Sequence, residues 1–214
     1  MLIGPLLGAE TDWAYAPVEN PELPKVDTAD WTREEMDFFV LAEIEKRDDL
    51  PTRLAGKRTL IRRAYLDLHG LPPSTGQIEA FLKDERPDAW ARLIDELLKS
   101  PRYGERWGRH WLDVARYADT NGMDEDIAHP SAWRYRDYVI RSFNKDKPFD
   151  RFIVEQLAGD LLPAKDLAQK REQTVGLGFL SVGPKMLACD DPDKMRRDII
   201  DEQMDTMGRA FLGM

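Results

Sequence analysis

Cysteine and histidine are nearly absent from this chain: 214 residues hold one cysteine, Cys189, and three histidines, His69, His110 and His129. A lone cysteine excludes an internal disulfide and a Cys-paired zinc site, and it excludes covalent c-type haem here, because that attachment needs C-x-x-C-H. None of the histidines sits at metal-ligand spacing, so the chain is expected to hold neither metal nor cofactor of its own. No apolar run approaches the roughly 20 residues of a membrane-spanning helix. Basic residues are in deficit, 31 against 40 acidic ones for a net charge of −9, which argues against a nucleic-acid partner. Phosphate loops, dinucleotide glycine patterns and nucleophile elbows do not occur. Neither do internal repeats or runs of alternating β-branched residues, which excludes an obvious sheet.

What remains is a chain 42% hydrophobic and 33% charged, with six tryptophans, eight phenylalanines and six tyrosines. That is a globular composition with enough residues to bury a core. The opening "MLIGPLLGAE" is apolar, ends in small residues and has no basic start. It reads as a signal-peptide remnant or as an apolar leader. Residues 11–30 carry three prolines and little periodicity, an extended arm pinned by Trp13 and Tyr15. Helical signals follow. Thr32 is placed to cap a helix whose Met36, Phe39, Val40 and Ile44 form a stripe. Leu60, Ala64 and Leu68 repeat in a helix ended by Gly70, and Ser74 and Gln77 make a capping box. Trp90, Leu93, Ile94 and Leu97 line a fourth helix, and Ile199, Met204 (or Gln203), Met207 and Phe211 a last one. The spacing predicts an all-α fold of about eight helices: an extended arm over 1–30 and a helical domain over 31–214.

Chemistry concentrates in "RYGERWGRHWLDVARYADTNG", residues 102–122. Trp107, Trp111, Val114 or Ala115, and Ala118 fall on one helical face. Arg109, Asp113, Arg116 and Tyr117 fall largely on the other, at three- and four-residue spacings that let side chains touch. "AWRYRDYVI" and "FDRFIVEQLAGDLLP" repeat the pattern with Arg136, Asp137, Glu155, Gln156 and Asp160. Such arrays either brace packed helices or line a polar pocket. The polar loop between them, with Asp119, Asn121, Asp124, Glu125, Asp126 and His129, offers oxygen ligands for a hard cation but lacks the glycine and terminal glutamate of an EF-hand.

Four segments together, "LIRRAYLDLHGLPPS", "LLKSPRYGERWGRHWLDVARYADTNG", "WRYRDYVIRSFNKDKPFDRFIVEQLAGDLLP" and "MDTMGRAFLG", closely resemble the second planctomycete cytochrome-associated domain, a family of unknown function. The resemblance runs through about residues 60–212. It implies an exported protein, periplasmic or extracellular, in which this domain neighbours a cytochrome c-like haem domain and a further downstream domain as partners. It also implies a C-x-x-C-H-like segment directly after "AFLGM", so these 214 residues are expected to stop short of it. Haem c or a metal would then belong to the parent protein and not to this chain. The family's motif positions here include Trp111, Tyr117, Asn121, Trp133, Arg134, Arg136 and Gln156, expected to bind a ligand. Asp113, Arg116, Asp137 and Asp160 are expected to share a catalytic pocket where the helices meet, with Arg116 holding an anionic or hydroxyl-rich group. The leading expectation is a scaffold beside a redox, electron-transfer segment. Two alternatives stand: an extracellular carbohydrate-acting enzyme using paired carboxylates, and a structural interaction module.

Overall fold

The computed structural model describes residues 17–123, 126–186 and 190–213, and the fold is all-α. Two compact units divide it, Met1–Leu54 and Ala55–Met214. Trp13, Tyr15, Asp124, Glu125 and Cys189, each singled out by the sequence, lie outside the described residues.

The first unit contains a 3₁₀ turn, Ala29–Trp31, and helix α1, Glu35–Glu45. Thr32 does not cap it. Its hydroxyl donates back to the Ala29 carbonyl at 2.7 Å. Asp37 supplies the cap instead, its carboxylate accepting from the Arg33 and Glu34 backbone amides at 2.8 and 3.1 Å. At the other end the Glu45 carboxylate gathers the Asp27 amide (3.0 Å), the Thr28 amide (2.9 Å) and the Thr28 hydroxyl (2.8 Å), which fastens the preceding chain to the helix. Leu41 is fully buried, whereas Met36 and Val40 of the expected stripe are exposed.

In the second unit, α2 (Lys57–His69), α3 (Thr75–Lys83) and α4 (Ala89–Leu98) close around Ile61, Tyr65, Phe81, Leu93 and Leu97. Gly70 ends α2 in the left-handed region (φ 71°), as the sequence anticipates, and the Ser74–Gln77 capping box opens α3. Trp90 is half exposed and Ala89 takes the buried place expected of it. A second core joins α5 (Pro101–Val114), α6 (Trp133–Asn144), α7 (Phe149–Ala158), α8 (Leu167–Gly176) and a 3₁₀ turn at Leu177–Leu180. Its centre is Tyr135, Tyr138, Val139, Phe152 and Phe179, with Trp111 and Phe211 packed against it. Helix α9 (Pro192–Met207) runs into a π-helical turn, Gly208–Leu212. Among the described residues the only β feature is an isolated bridge between Thr120 and Ala128.

Helices α5 and α6 approach each other through two glycines one turn apart. A Cβ on Gly104 would lie 2.4 Å from the Ile140 carbonyl oxygen, and one on Gly108 would meet Ile140 and Val139 at ordinary contact distance. The Gly104 amide donates to Asn144 Oδ1 at 2.8 Å, and Asn144 Nδ2 donates to the Pro101 carbonyl at 3.1 Å. The buried face of α5 is therefore Gly104, Gly108, Trp111 and the following Ala115; of the alternatives Val114 and Ala115 it is Ala115 that turns inward, while Trp107 stays partly exposed.

Gly104→Ala should destabilise the protein by about 1–3 kcal/mol, because the methyl group has to displace backbone. Gly76→Ala, in α3 with open space around it, should stabilise by up to about 1 kcal/mol. Chemical denaturation of the two variants checks the contrast; equal effects would mean that α5 and α6 are not held this closely.

Candidate functional site

Trp111 leaves the end of α5 pointing into the second core. Its indole N–H is shared between the Tyr135 hydroxyl (3.0 Å) and Gln156 Oε1 (2.7 Å), and the Tyr135 hydroxyl donates to the same Oε1 at 2.6 Å. Gln156 Nε2 donates to the Phe152 carbonyl at 3.2 Å within α7. Tyr135 and Gln156 are 2% and 0% exposed, so this junction is dry. Burial pushes the Tyr135 phenol far above its ordinary range, which keeps it a neutral donor. Trp111 and Gln156, expected to bind a ligand, instead satisfy one another across three helices.

One turn further along α6, and one residue back on α7, lies a charged counterpart. Glu155, 4% exposed, accepts from Lys147 Nζ (2.5 Å), Arg151 Nε (2.9 Å) and the Tyr138 hydroxyl (3.0 Å). Lys147 also lies 4.5 Å over the Tyr138 ring and 3.3 Å from Glu172 of α8. Burial alone would raise the Glu155 carboxyl; the hydrogen bonds and charge of Lys147, with those of Arg151 and Tyr138, outweigh it and hold the group below its usual range. Sequence spacing gives the Arg151–Glu155 pair, four apart on α7. Lys147 and Tyr138 arrive from outside that helix, and no local pattern announces them.

The expected catalytic four do not converge. Asp113 is exposed and makes no ion pair or side-chain hydrogen bond among the described residues. The reason is local: α5 ends at Val114, and Arg116 takes a left-handed backbone (φ 52°), so the three-residue spacing to Asp113 no longer places the two on one helical face. Arg116 turns to α9 instead. Its guanidinium is 2.6 Å from Glu202 and 3.4 Å from Asp205, touches the Thr206 hydroxyl, and donates to the Glu202 carbonyl at 3.3 Å. It meets Glu202 Oε1 off the hydrogen-bond axis, so that contact is an ion pair. Asp137 pairs with its neighbour Arg136 at 3.0 Å. Asp160 is exposed, and its backbone carbonyl accepts from Lys170. No side-chain interaction links these four residues, and none of the three aspartates lines the cavities described below.

The remaining expected ligand-binding residues fall into three places. The Tyr117 hydroxyl donates to Asp119 at 2.7 Å, and burial together with that carboxylate pushes the phenol up to about 12. Asn121, fully buried, clasps its loop: its Oδ1 accepts from the Ile127 amide (2.8 Å), and its Nδ2 donates to the Lys185 carbonyl (3.1 Å). Trp133 and Arg134 are exposed at the start of α6, with the Arg134 guanidinium 5.1 Å over the Trp133 ring. Among the described residues no three or more His, Cys, Asp or Glu side chains are grouped to hold a metal ion.

Residues 35–214 match a family described as PSCyt2, protein of unknown function (DUF1549). No curated protein and no solved structure matches the chain.

Two outcomes follow for stability. Glu155→Gln should cost about 2–4 kcal/mol, because the sheltered Lys147 is left with Glu172 as its carboxylate partner and Arg151 loses its own. A carboxylate held below its unfolded value of about 4.3 stabilises the fold above that pH and loses its contribution as pH falls toward the folded value. The variant's unfolding free energy should therefore decline less steeply on acidification below about pH 4 than that of the parent; an identical acid limb would remove Glu155 from this role. Separately, Arg116→Gln should cost about 2 kcal/mol and Asp113→Asn less than about 0.5, read by urea denaturation.

Proposed function

The chain belongs to the PSCyt2 (DUF1549) family, and from that premise we propose that it is a helical scaffold module of an exported, cytochrome-associated protein, serving an electron-transfer segment carried elsewhere in the parent. The observation that carries this reading is the grip of Arg116 on α9. One guanidinium at the end of α5 holds Glu202, Asp205 and Thr206, and Met207 and Phe211 continue from α9 into the second core. The helix is thereby set in a fixed direction relative to α5 and α6. The family resemblance puts a C-x-x-C-H-like segment immediately after this helix, so the scaffold would orient the redox group's attachment.

The polar residues support a bracing role over a catalytic one. Trp111, Tyr135 and Gln156 spend their donors and acceptors on one another, and Glu155 is saturated by three donors. The sequence lacks the C-x-x-C-H that covalent haem needs, and among the described residues no three or more His, Cys, Asp or Glu are grouped to hold a metal ion. Any such group is assigned to the parent protein, and no step here is routed through it. A glycosidase would need two carboxylates facing one substrate, and Asp113, Asp137 and Asp160 share neither contact nor cavity. No helix of the described residues is long and apolar enough to cross a membrane.

The test is the parent protein produced with the sequence beyond Met214 in an exporting, haem-competent host. A Soret band or stoichiometric bound metal is expected, together with recovery in the exported fraction. Loss of both chromophore and metal would overturn the redox association. Retention of either with Arg116→Gln, at unchanged reduction potential, would overturn the orienting role of α9.

A further inference from the structure

The start of α6 and the end of α8 flank an open groove of about 420 Å³, within the range of small-molecule sites. Its wall is apolar, with Ala132, the Tyr135 ring, Val175 and Val182. Gly178 packs directly on the Tyr135 ring, where a Cβ would strike it at 2.8 Å. The polar rim consists of His129, Arg134 and the hydroxyl residues Ser131, Thr174 and Ser181, and no acidic residue lines it.

The rim's charge comes from Arg134, with no carboxylate beside it. Arg116, Arg136 and Arg151 each have a carboxylate partner. Arg134 has none among the described residues; its guanidinium is stacked on Trp133 and keeps its N–H donors. The larger cleft between α2, α3 and α4, about 760 Å³, is different, since Asp84, Asp95 and Glu96 balance Arg86, Arg92 and Lys99 there. In a chain of net charge −9, an apolar groove with an arginine at its mouth and no carboxylate is a place where an anion gains and a cation loses.

We propose that this groove binds a small amphipathic carboxylate, an aromatic or medium-chain acid, with its head group at Arg134 and its apolar body against Tyr135, Val175 and Val182. The stacked guanidinium presents paired donors that match a carboxylate, and His129 lies beside it on the rim. The wall supplies the burial energy and Arg134 the selectivity for an acid over the corresponding alcohol. The assignment stands apart from the scaffold reading, because it uses neither α9 nor any redox group.

Calorimetric titration of the purified chain with 3-phenylpropionate and octanoate, each against its alcohol, tests it. Both acids should bind about tenfold or more tightly than the alcohols, the size of one charge-assisted contact. Arg134→Gln should remove that preference while leaving alcohol binding and the melting temperature unchanged. Thr174→Trp, at the exposed mouth, should abolish binding of acid and alcohol alike. Failure of both acids to bind at about 10 mM (a Kd above ~10 mM) would overturn the proposal. So would an acid preference that survives Arg134→Gln, or affinity untouched by Thr174→Trp.

Discussion

The separation of α5 and α6 governs everything built around them. With glycine at 104 and 108 the two backbones come close enough for Asn144 to bond the first turn of α5 directly. That approach fixes the rotation of α5, and rotation decides where Trp111 points. At its observed setting the indole reaches Gln156 on α7 while its ring packs against Phe152 and Phe179, with centroids 5.0 and 5.8 Å away. A wider spacing would carry the indole away from α7 and leave Gln156 Oε1 with the Tyr135 hydroxyl as its remaining donor, a loss of about 0.5–1.5 kcal/mol.

Two polar systems sit in this core, and they differ in what they demand. The Trp111–Tyr135–Gln156 junction is neutral, so its cost of desolvation is modest and is met by hydrogen bonds of 2.6–3.0 Å. The Glu155 system is ionic. Such clusters rarely add much net stability over an apolar core, but they tolerate only one arrangement of their members. Lys147 comes from the α6–α7 connection, Arg151 from α7, Tyr138 from α6 and Glu172 from α8. Lys147, Arg151 and Tyr138 converge on the Glu155 carboxylate, and Lys147 carries the link on to Glu172, which ties four pieces of chain to a single register.

Features encoded within one or two turns were readable from the residues alone. The all-α class followed from helical spacing, and the Ser74–Gln77 box and the Gly70 terminator from local chemistry. The family was recognised from motifs across about residues 60–212, and the match extends to 35–214. What escaped was set by distance along the chain or by small side chains. Helical spacing placed Trp107, Trp111, Val114 or Ala115, and Ala118 on one face of α5, and Trp111 and Ala115 do turn inward; the close contact with α6, however, is made by glycines, which carry no hydrophobic signal. Arg116 and Asp113 looked like helical neighbours because nothing in "DVARYAD" marks the left-handed turn at a non-glycine residue. The groove beside Arg134 needs α8, some forty residues away, and a helix-by-helix reading does not bring it near.

The anchoring of α9 is lopsided. Its second half carries Glu202, Gln203, Asp205 and Thr206, all tied to the core, while Pro192–Arg197 remain mostly at the surface. Arg116 secures that anchor from a left-handed backbone position, closed locally by the Tyr117 amide donating to the Leu112 carbonyl at 2.9 Å. The attachment is partly solvent-facing and ionic, and added electrolyte screens it more than it screens the sheltered Glu155 cluster. Rising salinity would thus loosen the carboxy-terminal helix before it disturbs the interior.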